Sequence, residues 1–115
     1  MTNAATGLHA EDLACTALAA EGWSILGRRV RTKAGEIDAV AEKDGLLAFV
    51  EVKARPTLTM AASSIRPRQQ GRLVAAAEIL LGENPAWGKA GIRFDVLLVD
   101  PQHRIRRIKD AIRLN

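Results

Sequence analysis

Asp44-Gly45 stands between two runs of alternating side chains. Such a pair is a strong signal for a two-residue β-hairpin, because both turn positions need positive φ. It predicts strands over residues 36–43 and 46–54 and sets their register. Asp38 then lies directly opposite Glu51, and Glu36 opposite Lys53, with all four on one side of the ribbon. The other side shows Ile37, Ala39 and Ala41 against Ala48, Val50 and Val52, wholly apolar and therefore expected in the core. Opposed carboxylates repel unless something neutralises them. A divalent cation does so, and oxygen ligands are what Mg²⁺ or Mn²⁺ prefer; the plain alternative is a solvated sheet face that tolerates the repulsion. Glu36 and Lys53 could form an ordinary cross-strand ion pair.

Around the hairpin, the periodicity predicts a helix over residues 7–21, with Thr6 as N-cap, Gly22 ending it, and Leu8, Ala14, Cys15 and Leu18 on one face. A strand over 24–31 and a turn at 33–35 lead into the hairpin. A second helix is expected over 67–81, with Leu73, Ala77, Leu80 and Leu81 as its apolar stripe and Gly82 with Pro85 ending it. A strand over 92–99 is apolar enough to be central; Pro101 breaks it, and a short basic strand is expected at 104–109. The order α-β-β-β-α-β(-β) implies one α/β domain over residues 1–115, a mixed central sheet flanked by helices. Glu11 points within about 20° of Leu18 on a helical wheel, in the middle of the apolar stripe. A charge facing the core needs a partner, such as Lys53 or a metal-bound water. The helix macrodipole also favours an acid near an N-terminus, but gives no reason to face the core.

A chain of 115 residues, 48% hydrophobic and 26% charged, suits a single compact domain. Two Phe, two Trp and no Tyr leave an aliphatic core and little for base stacking. One cysteine, Cys15, rules out an intramolecular disulfide and any Cys-rich zinc site, and suits a reducing cytoplasm. No apolar run approaches the roughly 18 residues of a membrane span, and the first residues lack a secretory pattern, so a cytoplasmic protein without a membrane partner is expected. The net charge of +4 favours a polyanionic partner. Arg28, Arg29, Arg31 and Lys33 form one basic cluster, Arg66, Arg68 and Arg72 a second, and Arg104, Arg106, Arg107 and Lys109 a third. Their interleaving with apolar strands reads as phosphate-contacting edges. His9 and His103 are isolated and lack ligand-like spacing, Trp23 and Trp87 read as packing residues beside helix ends, and Asp95 as a hydrogen-bonded structural acid.

Gly35-Glu36-Ile37-Asp38, followed by Glu51-Val52-Lys53, resembles the Asp…Glu-X-Lys core of the PD-(D/E)XK nuclease superfamily. The wider pattern is Gly7-x-x-x-Glu11-x-x-Ala14, Gly35-Glu36-Ile37-Asp38, Phe49-Val50-Glu51-Val52-Lys53-x-Arg55 and Arg93-Phe94-Asp95-Val96. These four blocks resemble the bacterial YraN-like family, itself similar to archaeal Holliday-junction resolvases. The likeness implies a restriction-endonuclease-like fold and a metal-dependent endonuclease acting on DNA, branched DNA included, with RNA not excluded. By the same likeness Asp38 and Glu51 would ligate Mg²⁺ or Mn²⁺ with the Val52 carbonyl as third oxygen. Lys53 would orient or activate the attacking water, and Glu11 would be a fourth member of the site. The residues expected at nucleic acid are Arg28, Arg29, Arg31, Lys33, Arg55, Arg66, Arg68 and Gln69. The chain departs from the pattern in having Ile37 rather than Pro before Asp38, Gln69 (beside Gln70) where YraN-like chains often carry Lys, and Ala17 where relatives often have Tyr. A homodimer is implied only through the resolvase likeness. The rival readings are a nucleic-acid-binding module with a non-catalytic nuclease fold, and a structural or partner-binding protein.

Overall fold

A computed structural model describes residues 3–58 and 66–112, with side chains from His9 onward. Helix α1 spans Asn3–Ala20, β1 Ser24–Thr32, β2 Gly35–Lys43, β3 Leu46–Ala54, α2 Pro67–Glu83, β4 Gly91–Val99 and β5 Ile105–Ile108. The five strands form one mixed sheet in the order β1-β2-β3-β4-β5, antiparallel throughout except for the parallel β3–β4 pair. A parallel neighbour needs a crossover, and α2 supplies it. The α-β-β-β-α-β core with a small edge strand is the architecture expected from the sequence.

The helices cover opposite faces of the sheet. From α1, Ala14, Cys15 and Leu18 pack with Trp23, Ala39, Ala41, Ala48, Val50 and Leu97. From α2, Leu73, Ala76, Ala77 and Leu80 pack with Ile37, Val40, Leu47, Phe49 and Phe94. Two interiors on one sheet explain why β3 and β4 read as nearly continuous apolar runs. The side of the hairpin that carries Glu51 is therefore not open to water along its length, because α2 covers Val40, Leu47 and Phe49 there.

Helix ends differ from the sequence reading in instructive ways. Helix α1 begins by Asn3, so Thr6 lies inside it and is not the N-cap; the Leu8 side chain falls outside the described residues. Its C-terminus ends as predicted at Gly22, whose φ of 94° is left-handed. Gly22 N–H donates to Ala19 O at 3.0 Å and Trp23 N–H to Leu18 O at 3.1 Å, the paired bonds of a Schellman cap, and Trp23 and Leu18 share one cluster. Helix α2 runs past Gly82 to Glu83. Asn84 stops it, giving both its backbone N–H and its side-chain amide to Leu80 O, at 3.0 and 2.9 Å.

The predicted hairpin forms. Asp44 and Gly45 take φ of 53° and 82°, and the register runs from Lys43–Leu46 to Ala39–Val50 as expected. There the ladder stops. Asp38–Glu51 and Glu36–Lys53 are not rungs; β2 continues against β1 instead, with Val30 opposite Ile37 and Arg31 opposite Glu36. The alternation slips at the same point, since Ile37 joins the α2-side cluster while Ala39 joins that of α1. Between the Arg28–Ala39 and Val30–Ile37 pairs of β1–β2 stands Arg29, a non-glycine residue with φ of 50°.

Candidate active site

The fork between β2 and β3 is held open by a side chain. Asp38 Oδ2 accepts the Val52 N–H at 2.8 Å, a donor that a continuing ladder would have given to the Ile37 carbonyl. N–H and C=O of one strand residue project to the same edge, so the Val52 carbonyl faces the fork beside Asp38. Glu51 is 7% exposed, and its carboxyl is pushed up to about 8. Burial is the largest cause. A hydrogen bond with Asp38 and the charge of Asp38 add to it, while Lys53 and a hydrogen bond from Gln69 oppose it. Near neutrality Glu51 therefore holds a proton against Asp38. The two acids are adjacent as the hairpin register requires, but they meet across a fork and not across a rung.

Glu11 enters from the α1 side. Its Oε1 is buried without a hydrogen bond, and the nearest cation, Arg29 Nε, is 3.9 Å away. Burial raises its carboxyl above the ordinary range, and the Asp38 charge raises it further, against Arg29 and Arg28. A buried carboxyl oxygen without a hydrogen bond, acted on by the charge of Asp38, is short of a positive partner.

Gln69 Nε2 donates to Glu51 Oε2 at 2.7 Å, which singles out Gln69 from the Gln69-Gln70 pair at this acid. With Gly35, Glu36, Arg72 and Leu73, these two residues line a cavity of about 220 Å³. By sequence alone Arg72 belongs only to a basic cluster. Its place three residues after Gln69, one helical turn on, is the signal that could have assigned it to the site. Glu36 does not pair with Lys53; it lies 3.6 Å from Arg29 Nε and 3.3 Å from Arg31 Nε. Lys53 is half-buried, its side chain makes no hydrogen bond to the described residues, and it is close enough to favour the ionised form of Glu51.

The basic clusters divide. Arg28 pairs with Asp12, and Arg29 and Arg31 with the acids around the fork, which gathers cations at its lip. Lys33, Arg66 and Arg68 are exposed, and Arg55 caps the Ala54 carbonyl at 2.9 Å. Three members of the third cluster are engaged in structure. Arg104 binds Asp100, Arg106 donates to Leu58 O, and Arg107 reaches Asp95 and Glu21. Asp95, as expected, is a structural acid, gripped by Arg93 and Arg107 and by the Asp110 N–H. Both guanidiniums lie over the Trp23 ring, at 5.4 and 4.8 Å from its centroid.

Among the described residues no three His, Cys, Asp or Glu side chains form a ready-made metal cage. Mg²⁺ does not need one. It keeps several waters and is usually held by one or two carboxylates, and here Asp38 and Glu51 meet at the edge of β3 to which the Val52 carbonyl points, all hard oxygens, with Glu11 acting on Asp38 from the α1 side. The donor set fits a small divalent cation, on condition that Glu51 gives up its proton.

Fold and fork together are those of an α/β domain of the PD-(D/E)XK-like class. Within that class the chain belongs to the family described as "Uncharacterised protein family UPF0102", whose model matches residues 10–99. This is the YraN-like family that the four sequence blocks resemble. Relatives include a UPF0102 protein of Granulibacter bethesdensis, 59% identical, covering 95% of this chain and 69% of the relative. A UPF0102 protein of Rhodopseudomonas palustris is 47% identical, covering 92% and 82% respectively. One from Acidiphilium cryptum is 52% identical over 83% of this chain and 73% of its own length. No helix among the described residues is long and apolar enough to cross a membrane.

Proposed function

We propose that this protein is a metal-dependent endonuclease that hydrolyses phosphodiester bonds in DNA. The observation that carries the reading is the meeting of two acids in the fork, the buried Glu51 and the half-buried Asp38, with Asp38 bound to the Val52 N–H. A protein has little structural reason to bring a buried acid against a second one; a cation site supplies one. Asp38, Glu51 and the Val52 carbonyl would hold Mg²⁺ or Mn²⁺, which when bound supplies the charge that polarises the scissile phosphate. The chain's own part is positional. Gln69 fixes the Glu51 carboxylate at 2.7 Å. Lys53, two residues along β3, holds the attacking water and offsets charge developing on the phosphate. Arg28, Arg29, Arg31 and Lys33 on the β1 side, with Arg55, Arg66 and Arg68 beyond it, supply phosphate contacts. Branched DNA as substrate and a symmetric homodimer rest on the resolvase likeness alone.

Among the described residues no three acids group into one ligand set, which favours a second reading, a nucleic-acid-binding module without turnover. Lys53 separates the two. Lys53→Ala should leave Mn²⁺ binding nearly intact and DNA binding slightly weaker, while single-turnover cleavage falls by about two orders of magnitude or more. Lys53→Arg should rescue incompletely, because a planar guanidinium does not take the place of a compact ammonium. Wild-type protein that cleaves no linear, single-stranded or four-way-junction DNA, and no RNA, at saturating metal gives the binding-module reading. Lys53→Ala that cuts at the wild-type rate refutes the mechanism.

A further inference from the structure

His9 and His103 lie 94 positions apart, and sequence spacing gives no reason to connect them, yet the fold brings their Nε2 atoms to 3.3 Å. The rings meet edge to face, with centroids 4.8 Å apart and planes at 62°. For a hydrogen bond this separation is at the long edge of the useful range. For two imidazoles on one tetrahedral ion it is the separation expected, since bonds of about 2.0–2.1 Å at a tetrahedral angle place the two nitrogens about 3.3–3.4 Å apart. We propose that His9 and His103 form a two-imidazole site for a borderline divalent cation of the Zn²⁺, Ni²⁺ or Cu²⁺ type, separate from the acidic fork.

Both histidines are held in place by the surrounding backbone. His103 sits in the turn between β4 and β5 with φ of 67°, its N–H donated to Asp100 O at 3.0 Å. The buried Asp100 carboxylate ties that turn together, accepting from Gln102 N–H, Arg104 N–H and Arg104 Nε at 3.0, 2.8 and 2.7 Å. His9 is carried by α1, where the adjacent Ala10 is buried against the sheet. The pair stands at the lip of a cavity of about 770 Å³, also lined by Leu13, Pro56, Val99 and Pro101. No third His, Cys, Asp or Glu joins the two rings among the described residues, so the remaining coordination positions belong to water or to a ligand seated in that apolar cavity. Nitrogen donors also separate this site chemically from the fork: imidazole suits Zn²⁺, Ni²⁺ and Cu²⁺, while Mg²⁺ prefers oxygen.

The test titrates the untagged full chain with Zn²⁺ by calorimetry, and with Cu²⁺ by electron paramagnetic resonance, in wild type, His9→Gln, His103→Asn and Glu51→Gln. Asn is chosen at 103 because it tolerates left-handed φ, and circular dichroism checks each fold. We expect one Zn²⁺ that survives Glu51→Gln and excess Mg²⁺, and that weakens at least tenfold in either histidine variant. Nitrogen splitting on Cu²⁺ should fall from two imidazoles to one in those variants. Wild-type affinity in the folded histidine variants, loss of Zn²⁺ on Glu51→Gln, or no binding of either ion overturns the site. None of these outcomes depends on nuclease activity.

Discussion

The ionisation of Glu51 bears directly on the stability of the molecule. Its carboxyl is raised in the folded chain, by burial first and by Asp38 second, above the ordinary value it would have unfolded. A group of that kind contributes stability that is complete below about pH 4.5 and is lost as pH climbs through about 8, because the folded state must then ionise a buried acid. In metal-free buffer the unfolding free energy of wild type should fall across that window, by an amount on the order of a few kcal/mol. Glu51→Gln, which keeps the amide-sized group and removes the titration, should flatten the profile and be the more stable protein at pH 8. Mn²⁺ should reverse the alkaline loss in wild type and do nothing for the variant. A wild-type profile that rises between pH 5 and 8 without metal would contradict the buried-acid account.

At the level of elements, β1 carries Arg28, Arg29 and Arg31 to the lip of the fork, each in contact with an acid. Replacing all three with Ala should weaken DNA binding across sequences and flatten the dependence of log K on log salt, read by fluorescence anisotropy. Loss confined to one sequence would mean base readout. The strands and the hairpin register were legible because they rest on local signals, namely alternation, Asp44-Gly45 and the Gly22 stop. The end of the ladder was not, because it depends on a competition between the Asp38 side chain and a backbone carbonyl for one N–H, which only the folded sheet stages. Ile37 was assigned to the wrong face for the same reason. Thr6 and Gly82 misled because cap preferences are weak beside tertiary packing, which extends α1 and α2 beyond them. The meeting of Asp38 with Glu51 was legible through their motif, whereas Gln69's partner and the His9–His103 approach are products of tertiary contact.

Across the whole molecule, one knot joins elements distant in sequence. Asp95, on β4, has a fully buried side chain and binds Arg93, the β5 residue Arg107 and the Asp110 backbone, while Arg107 also reaches Glu21 at the end of α1. Asp95→Ala leaves two partly buried guanidiniums over Trp23 without their acid, and should cost about 3–5 kcal/mol of unfolding free energy. Urea titration measures it, and a loss below about 1 kcal/mol, the scale of an exposed pair, would show the knot to be ornamental.

The fork has a consequence of scale. Strands in a closed hairpin stand about 4.8 Å apart, a ruler that no side chain can alter. Beyond Ala39–Val50 that ruler is lifted: β2 keeps time with β1, and β3 with β4. Asp38 and Glu51 thus ride on two separately anchored arms. The gap between them is gauged by what lies in it, a proton or something larger, and not by the pitch of the sheet.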